Sequence, residues 1–232
     1  MKATVCLPTY NERENLEKMV RALGTHDVDV LVIDDGSPDG TGEIADRLAA
    51  ELDYVQVLHR AHKEGIGRAY IAGFERVLAG DSELVLEMDC DFSHDPADVP
   101  RLIAACEAGA DLALGSRYVP GGGTRNWGLV RRLISWGGSF YARMVLGVRI
   151  RDLTGGFKCF RRRVLETLDL DAIESKGYAF QIETTYRALR EGFRVQEIPI
   201  VFVDRTEGTS KMSRAIVLEA MLKVPLLRFT AR

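Results

Sequence analysis

Two carboxylates near the middle of this 232-residue chain have the residue types and spacing of a metal site. A mostly apolar run over 84–88 leads directly into Asp89-Cys90-Asp91. Such a run is typical of a buried strand, and carboxylates just beyond a strand end can share a divalent cation with the oxygens of a diphosphate. The same spacing also occurs where an Asp merely caps the next helix. The pattern therefore predicts a cation site only if other segments support it.

The segments that must position these carboxylates alternate between short apolar runs and helical patterns. We expect strands over 3–8, 28–34, 54–58, 84–89 and 111–116, and helices over 12–23, 41–52, 66–78 and 96–108. This alternation predicts an α/β fold with a mostly parallel sheet flanked by helices on both faces. In such a sheet, ligands bind at the carboxyl ends of the strands.

Four of the predicted strands end in loops that carry polar, charged or aromatic groups. These loops are 8–12, 34–40, 89–91 and 115–118. One such loop is ordinary turn chemistry, but four on one sheet edge favour a binding site. The first strand is not followed by Gly-x-Gly-x-x-Gly, and the chain has no Gly-Lys-Ser/Thr loop. These two observations argue against dinucleotide enzymes and P-loop enzymes.

The net charge of −3 conceals a strong asymmetry along the chain. Segment 125–163 has a balance of +9 and segment 205–232 a balance of +4, so the remainder carries −16. The basic segments indicate an anionic partner, either a membrane surface, a phosphorylated substrate or nucleic acid; solvated basic faces are the alternative. Since no nucleic-acid-binding module is recognisable, we expect no nucleic acid partner.

The C-terminal half has the pattern of amphipathic helices. Residues 126–148 predict one or two helices, broken or kinked at Gly137-Gly138, and Trp127 and Trp136 lie there among arginines. This composition suits a membrane interface, and an ordinary helix packed on the sheet is the alternative. We expect one domain over 1–210, which includes interface helices at 125–150, and a tail helix over 211–232.

The chain shows no stretch of eighteen apolar residues, no signal peptide pattern and no paired cysteine motif. We therefore expect no membrane-spanning helix, and reduced thiols in a cytoplasmic protein.

The loops together resemble a known enzyme family. The matching stretches are LPTYNEREN (7–15), VIDDGSPDGT (32–41), HKEGIGRA (62–69), MDCDFSHDP (88–96), GSRY (115–118), DLTGGFK (152–158) and RTEGTSK (205–211). In this order they resemble the family 2 glycosyltransferases with the GT-A fold, a Rossmann-like α/β fold. Within that family the chain is most similar to the dolichyl- or polyprenyl-phosphate mannose synthases.

The resemblance implies an inverting transfer of mannose from GDP-mannose to a dolichyl or polyprenyl phosphate, with Mg²⁺ or Mn²⁺. It implies a nucleotide pocket made of Pro8, Tyr10, Glu12, Ile33, Asp35, Asp89, Cys90 and Asp91. Asp89 and Asp91 would bind the metal, with Ser93 as a third ligand where some members have Gln. Arg117, Arg131 and Ser135 would bind the acceptor phosphate. Arg205 and Lys211 would close over the phosphates, and with Asp91, Arg117 and Arg131 they form the predicted catalytic set.

Many relatives in this family carry C-terminal transmembrane helices, and this chain shows none. The resemblance therefore implies a peripheral protein at the cytoplasmic face of a membrane, or one that a membrane-anchoring partner protein holds there. Three alternatives stay open. The donor can be UDP-glucose or another nucleotide sugar, the acceptor can be a saccharide or protein, or the domain can be a non-catalytic nucleotide-binding module.

Overall fold

The computed structural model describes residues 1–173, 175, 177–204 and 214–230. A seven-stranded sheet lies at its centre, with the strand order β3-β2-β1-β4-β7-β5-β8. The strands of this sheet are β1 (Ala3–Thr9), β2 (Asp29–Asp34), β3 (Val55–His59), β4 (Leu84–Glu87), β5 (Leu112–Ser116), β7 (Lys158–Arg161) and β8 (Val195–Pro199). A separate two-stranded ribbon pairs β6 (Gly123–Arg125) with β9 (Val201–Val203).

Helices cover both faces of the sheet. They are α1 (Leu16–Leu23), α2 (Thr41–Glu51), α3 (Ile66–Leu78), α4 (Val99–Glu107), α5 (Leu129–Leu146), α6 (Arg162–Thr167), α7 (Gly177–Arg190) and α8 (Arg214–Thr230). Helix α1 begins four residues later than predicted, because Asn11 is left-handed (φ 56°) and the chain turns before the helix starts. The predicted mostly parallel sheet flanked by helices is confirmed.

One strand of the sheet runs against the others. β7 lies between β4 and β5 and is antiparallel to both, so β4 and β5 remain parallel to each other. The carboxyl ends of β1, β2, β4 and β5 therefore meet at one edge, as the loop pattern predicts.

The side chains of β4 alternate between two cores, as expected for a strand that is covered on both faces. Leu84 and Leu86 pack in the core that includes residues of α1, α2 and α4, and Val85 packs in the core that includes residues of α3, α6 and α7. A third core joins α5 to α7 and to Val224 and Leu227 of α8.

Helix α5 is continuous, so the predicted break at Gly137-Gly138 is wrong. Neither glycine has a positive φ, and a Cβ at either position would meet no atom within 4 Å. Both glycines therefore adopt ordinary helical geometry, and the intrinsic cost of glycine in a helix does not interrupt this one.

The basic run at 161–163 does not face an anionic partner, which corrects part of the charge argument. Arg161 donates to the carbonyl oxygens of Cys106 and Ala110 at the end of α4. Arg162 donates to carbonyls at the end of α3, and Arg163 pairs with Asp111. The guanidinium groups of Arg161 and Arg162 thus satisfy carbonyls at helix C-termini, where cations are stabilising.

Candidate active site

The carboxylate pair lies at the carboxyl edge of the sheet, just beyond β4. Asp91 is buried and its Oδ1 accepts a hydrogen bond from the backbone N–H of Ser93 at 3.0 Å. The side chain of Asp89 is 34% exposed, and the hydroxyl of Tyr70 lies 3.5 Å from its Oδ1. The Asp91 carboxylate is thus held by the loop backbone, and the Asp89 carboxylate in the same loop is partly exposed to solvent.

His94 packs behind this loop and was not predicted from the sequence. Its ring stacks on Phe157 with 5.0 Å between centroids and meets Phe202 edge-on at 5.2 Å. Burial lowers the pKa of His94 to about 4, so the ring is neutral at pH 7. Nδ1 can then accept the 3.4 Å hydrogen bond from the backbone N–H of Asp89.

The donor set at this edge fits Mg²⁺ or Mn²⁺. Both ions prefer carboxylate and phosphate oxygens, and Mg²⁺ usually takes only one or two protein carboxylates, completing its shell with water and substrate phosphates. In the described part of the chain, no group of three or more His, Cys, Asp or Glu side chains is arranged to hold a metal. Asp89 and Asp91 therefore suit a cation that is shared with a diphosphate, rather than one enclosed by protein. Ser93 is 1% exposed and orients Asp91 through its backbone; its role as a third ligand stays a prediction.

Several residues of the predicted nucleotide pocket lie in the loops after β1 and β2. Asp35 is buried and pairs with Arg60 at 2.5 Å; burial raises its pKa, and Arg60 opposes the shift. Lys63 lies over the ring of Tyr10, 4.0 Å from its centroid. The backbone N–H of Glu12 donates to Thr41 at 3.0 Å, which ties the two loops together.

Two of the predicted nucleotide residues have side chains that are buried in the cores. Ile33 is 0% exposed and packs in the α3 core, where a Cβ on Gly73 would approach its Cδ1 to 2.4 Å. Cys90 is 2% exposed and packs in the opposite core. Strand alternation turns the Ile33 side chain away from the loop side. Nucleotide contacts of Ile33 and Cys90 would therefore come from their backbones, and these contacts stay a prediction. Pro8 is half-buried, and its contact with the nucleotide stays a prediction.

Arg117, a predicted acceptor-phosphate residue, is a buried cation that is already paired. Its Nε and Nη2 donate to the two carboxylate oxygens of Asp152 at 2.7 and 2.6 Å, and Nη2 also donates to Thr154. Burial disfavours the charge on Arg117, but Asp152 outweighs this and raises the arginine pKa while its own pKa is lowered. Direct binding of phosphate by Arg117 stays a prediction.

A second carboxylate binds Asp152 and the residue that precedes Arg117. Glu197 on β8 accepts hydrogen bonds from the Ser116 hydroxyl at 2.7 Å and from the backbone N–H of Asp152 at 3.0 Å. Its other oxygen accepts from the backbone N–H of Arg151 at 2.9 Å. Glu197 therefore clamps the residue before Arg117 to the loop that carries Asp152.

Arg131 and Ser135 share a face of α5, as their spacing predicts. Arg131 pairs with Asp204 at 2.5 Å, and this ion pair is only partly buried. The hydroxyl of Tyr118 donates to Ser135 at 2.8 Å. The predicted acceptor residues are thus close in the structure, but each already has a protein partner. Arg205 and Lys211 lie outside the described residues.

Aromatic rings surround the two arginines, and the sequence pattern did not reveal this cluster. The guanidinium of Arg117 lies 5.3 to 5.6 Å from the ring centroids of Tyr118, Trp127 and Phe202. Arg131 lies 4.3 Å from the centroid of Trp127. Cations over aromatic faces are stabilised by the ring quadrupole, more so when they are desolvated.

Helices α5 and α8 expose an apolar face beside this cluster. The large exposed side chains of this face, which we call the interface patch, are Leu129, Val130, Leu133, Ile134, Trp136, Phe140, Met144, Met221, Leu222, Leu226 and Phe229. Leu129 is 76% exposed and Phe229 is 80% exposed. This face of α5 does not pack on the sheet, which argues against the ordinary-helix alternative. No helix in the described part of the chain is long and apolar enough to cross a membrane.

Comparison with known proteins identifies the family to which this chain belongs. The model of glycosyl transferase family 2 matches residues 4–169. The chain belongs to this family. It is 51% identical to the polyprenol monophosphomannose synthase of Mycolicibacterium smegmatis, over 96% of this chain and 85% of that protein. It is 49% identical to the undecaprenyl-phosphate mannosyltransferase of Micrococcus luteus, over 100% of this chain and 96% of that protein.

Solved glycosyltransferase structures share the fold at low sequence identity. Glucosyl-3-phosphoglycerate synthase from Mycobacterium tuberculosis, in complex with Mn²⁺, UDP and glucosyl-3-phosphoglycerate, superposes with a TM-score of 0.69 at 20% identity, over 97% of this chain and 78% of that one. A mannosyltransferase from Pyrobaculum calidifontis, in complex with GDP-mannose and Mn²⁺, gives a TM-score of 0.60 at 17% identity, over 99% of this chain and 72% of that one. The GT-A fold implied by the sequence motifs is confirmed.

Proposed function

We propose that this family 2 glycosyltransferase transfers mannose from GDP-mannose to a polyprenyl phosphate, giving a β-mannosyl phosphoryl lipid. The observation that carries the proposal is the meeting of two unlike charge sets at one sheet edge. Asp89 and Asp91 lie on the β4 side, and Arg117 and Arg131 lie in an aromatic cluster on the β5 side. The names of the relatives that are about half identical, a polyprenol monophosphomannose synthase and an undecaprenyl-phosphate mannosyltransferase, support mannose as the sugar and a polyprenyl phosphate as the acceptor.

The reaction needs little acid–base help from the protein. The acceptor is a phosphate monoester with a second pKa near 6, so it is already anionic at neutral pH. One of its oxygens forms a bond to the anomeric carbon, and the bond from that carbon to the diphosphate oxygen breaks, with the electron pair leaving on GDP. A single displacement inverts α-mannose to β-mannose. The task of the protein is to position the two anions and stabilise charge.

The residues divide this task between them. Asp89 and Asp91 would hold the divalent cation, which when bound supplies positive charge next to the departing diphosphate. Arg131 and Ser135 would bind the acceptor phosphate, with Arg117 fixed beside them by Asp152 and Glu197. Tyr10, Glu12 and Asp35 would line the nucleotide pocket. Arg205 and Lys211 would close over the phosphates and exclude water. The Mn²⁺ complexes of both structural neighbours support the use of a divalent cation.

A transfer assay tests the proposal directly. Purified protein, detergent-dispersed undecaprenyl phosphate and Mn²⁺ or Mg²⁺ are incubated separately with radiolabelled GDP-mannose, UDP-glucose and UDP-N-acetylglucosamine. We expect label in the lipid phase from GDP-mannose alone. Label from a UDP-sugar would contradict the donor, and tight nucleotide binding without any transfer would contradict the enzymatic function.

We further propose that the interface patch attaches the protein to the cytoplasmic face of a membrane, with or without an anchoring partner protein. Apolar side chains with basic neighbours suit an anionic interface. Arg132 is exposed on α5, and Arg228 donates to the carbonyl of Val145 at the junction of α5 and α8. The four cysteines are free buried thiols, which fits a reducing compartment.

Vesicle binding tests this attachment. Replacing Leu133 by Glu should reduce co-sedimentation with phosphatidylglycerol vesicles at least about tenfold, because the new carboxylate must be desolvated and repels the anionic surface. Ala50→Glu, which adds the same charge to an exposed position on α2, is the matched control. Equal binding of Leu133→Glu and the control would contradict the proposed surface.

A further inference from the structure

Two buried N–H groups in the aromatic cluster have no acceptor. Among the described residues, four buried side-chain polar atoms lack a hydrogen-bond partner: both carboxylate oxygens of Glu87, Nε1 of Trp127 and Nε of Arg131. The last two belong to side chains in direct contact, with the guanidinium carbon of Arg131 at 4.3 Å from the Trp127 ring centroid. Buried donors without a partner are rare because each costs about 1–3 kcal/mol. Two in one cluster indicate a ligand that supplies acceptor oxygens.

The local backbone fixes Trp127 in this cluster. Asn126 is left-handed (φ 62°), a conformation that Asn tolerates, and it redirects the chain between β6 and α5. The ribbon of β6 and β9 continues next to it, since the backbone N–H of Asp204 donates to the carbonyl of Arg125 at 3.1 Å. Phe202 of β9 then meets the Trp127 ring edge-on at 5.2 Å. The indole is therefore held before any ligand arrives.

The charge around the indole selects the chemistry of the ligand. Arg131 lies on its ring, and the guanidinium of Arg117 is 5.5 Å from the same centroid. Hydrogen bonds from such donors to an ionised oxygen are shorter and about twice as strong as neutral ones. Each guanidinium already pairs with one carboxylate, Arg117 with Asp152 and Arg131 with Asp204. An ionised phosphate oxygen can accept from both orphan donors next to these two cations, and it is a stronger acceptor than a neutral hydroxyl.

We propose that Trp127 is a further acceptor-binding residue, whose indole N–H donates to an oxygen of the polyprenyl phosphate next to Nε–H of Arg131. The inference rests on the proposed function, since it takes the acceptor to be a lipid phosphate. It assigns to Trp127 a polar role in place of the membrane-interface role that its sequence context suggests. Of the two tryptophans in the chain, Trp136 on the interface patch keeps that interface role.

A single-atom replacement tests the role of the N–H. In a Trp136→Phe background Trp127 is the only tryptophan, so growth on 3-benzothienylalanine replaces its indole N–H by sulfur and leaves the ring shape almost unchanged. We expect the KM for undecaprenyl phosphate to rise about tenfold, in line with the loss of one hydrogen bond to a charged group. The KM for GDP-mannose and the melting temperature should stay within twofold and two degrees of the background protein.

A rise in the KM for undecaprenyl phosphate without a rise in the KM for GDP-mannose distinguishes an acceptor-binding role of Trp127 from a structural one. A purely structural role would lower the melting temperature or raise both KM values together, and either result would overturn the inference. An unchanged acceptor KM in the sulfur analogue would overturn it as well. Trp127→Phe is the genetically simple second variant; it also lacks the N–H and keeps an aromatic ring, and the same split is expected.

A binding measurement distinguishes this inference from the proposed function. In the Trp136→Phe protein, fluorescence reports Trp127 alone, and we expect farnesyl phosphate to shift its emission while farnesol does not. A phosphate-dependent shift in a protein that transfers no mannose would contradict the proposed function and support the Trp127 site. An equal response to farnesol would contradict the site, whatever the transfer assay shows.

Discussion

Replacing Asp91 by Asn should lower kcat for mannose transfer at least about 100-fold. The substitution keeps the side-chain oxygen that accepts the 3.0 Å hydrogen bond from Ser93, so the loop should keep its shape. It removes the charge that the proposed cation needs, and a neutral amide is a much weaker ligand for Mg²⁺ or Mn²⁺ than a carboxylate. Initial rates at saturating substrates, with a Mn²⁺ titration for each protein, measure the loss.

Asp95 provides a matched control for this experiment. It lies four residues away in the same loop, is exposed, and accepts a hydrogen bond from the backbone N–H of Ala97. Asp95→Asn should keep kcat within about twofold, because this carboxylate caps a turn and lies outside the proposed metal site. EDTA should abolish wild-type transfer and excess Mn²⁺ should restore it. Full activity in Asp91→Asn would rule out the carboxylate pair as the metal site.

Replacing Lys158 by Met should lower the free energy of unfolding by about 3 kcal/mol. Lys158 and Glu87 are fully buried opposite each other on β7 and β4, and Nζ lies 3.9 Å from the carboxylate. Lys158 also donates to the hydroxyl of Thr184 and to the side chain and carbonyl of Gln181 on α7. Its loss removes the donor to Oε1 of Gln181 and leaves Glu87 without its only nearby cation among the described residues. Urea unfolding measures the change.

The pH dependence of the Lys158→Met variant follows from Glu87. Burial raises the pKa of Glu87, and Lys158 opposes that shift in the wild type. Without Lys158, the pKa of Glu87 in the folded state rises further above its value in the unfolded state. The folded variant therefore favours protonated Glu87, and its free energy of unfolding falls as the pH rises and Glu87 must ionise. The deficit of the variant should therefore grow between about pH 5 and pH 7. A deficit independent of pH would show that the charge pair is not responsible.

A double variant shows whether the two residues act as a pair. Glu87→Gln with Lys158→Met removes both charges, and replacing a whole buried pair is often nearly neutral. We expect it to be at least about 1 kcal/mol more stable than the sum of the single changes predicts. Simple additivity would mean that the two side chains stabilise the sheet independently.

The sheet and the position of the site could be predicted because both depend on local patterns. Apolar runs that alternate with helical segments specify parallel strands, and parallel strands bring their carboxyl ends to one edge. Polar loops at 8–12, 34–40, 89–91 and 115–118 then had to meet there, as β1, β2, β4 and β5 now show. The carboxylate pair needed no knowledge of long-range contacts, because both residues belong to one loop.

The partners of the arginines could not be predicted in this way. Arg117 is bound by Asp152, and Glu197, which lies 45 residues farther along the chain than Asp152, binds the backbone of Asp152 and the hydroxyl of Ser116 next to Arg117. Motif matching identified Arg117 as a cation but could not show that a buried carboxylate already neutralises it. The strand insertion that places β7 between β4 and β5 is also non-local, since it depends on pairing across the sheet.

By itself, then, the sequence determined the fold class, the edge of the sheet that carries the site and the carboxylates that face it. Only the tertiary structure decided which side chains reach that edge. Ile33 turns into a core because neighbouring residues of β2 alternate between the two faces of the sheet, and Cys90, in the loop after β4, packs in the opposite core. Trp127 turns toward the arginines because Asn126 and the β6–β9 ribbon direct it there. These orientations depend on packing between segments far apart in the chain, which cannot be predicted from a pattern in the sequence.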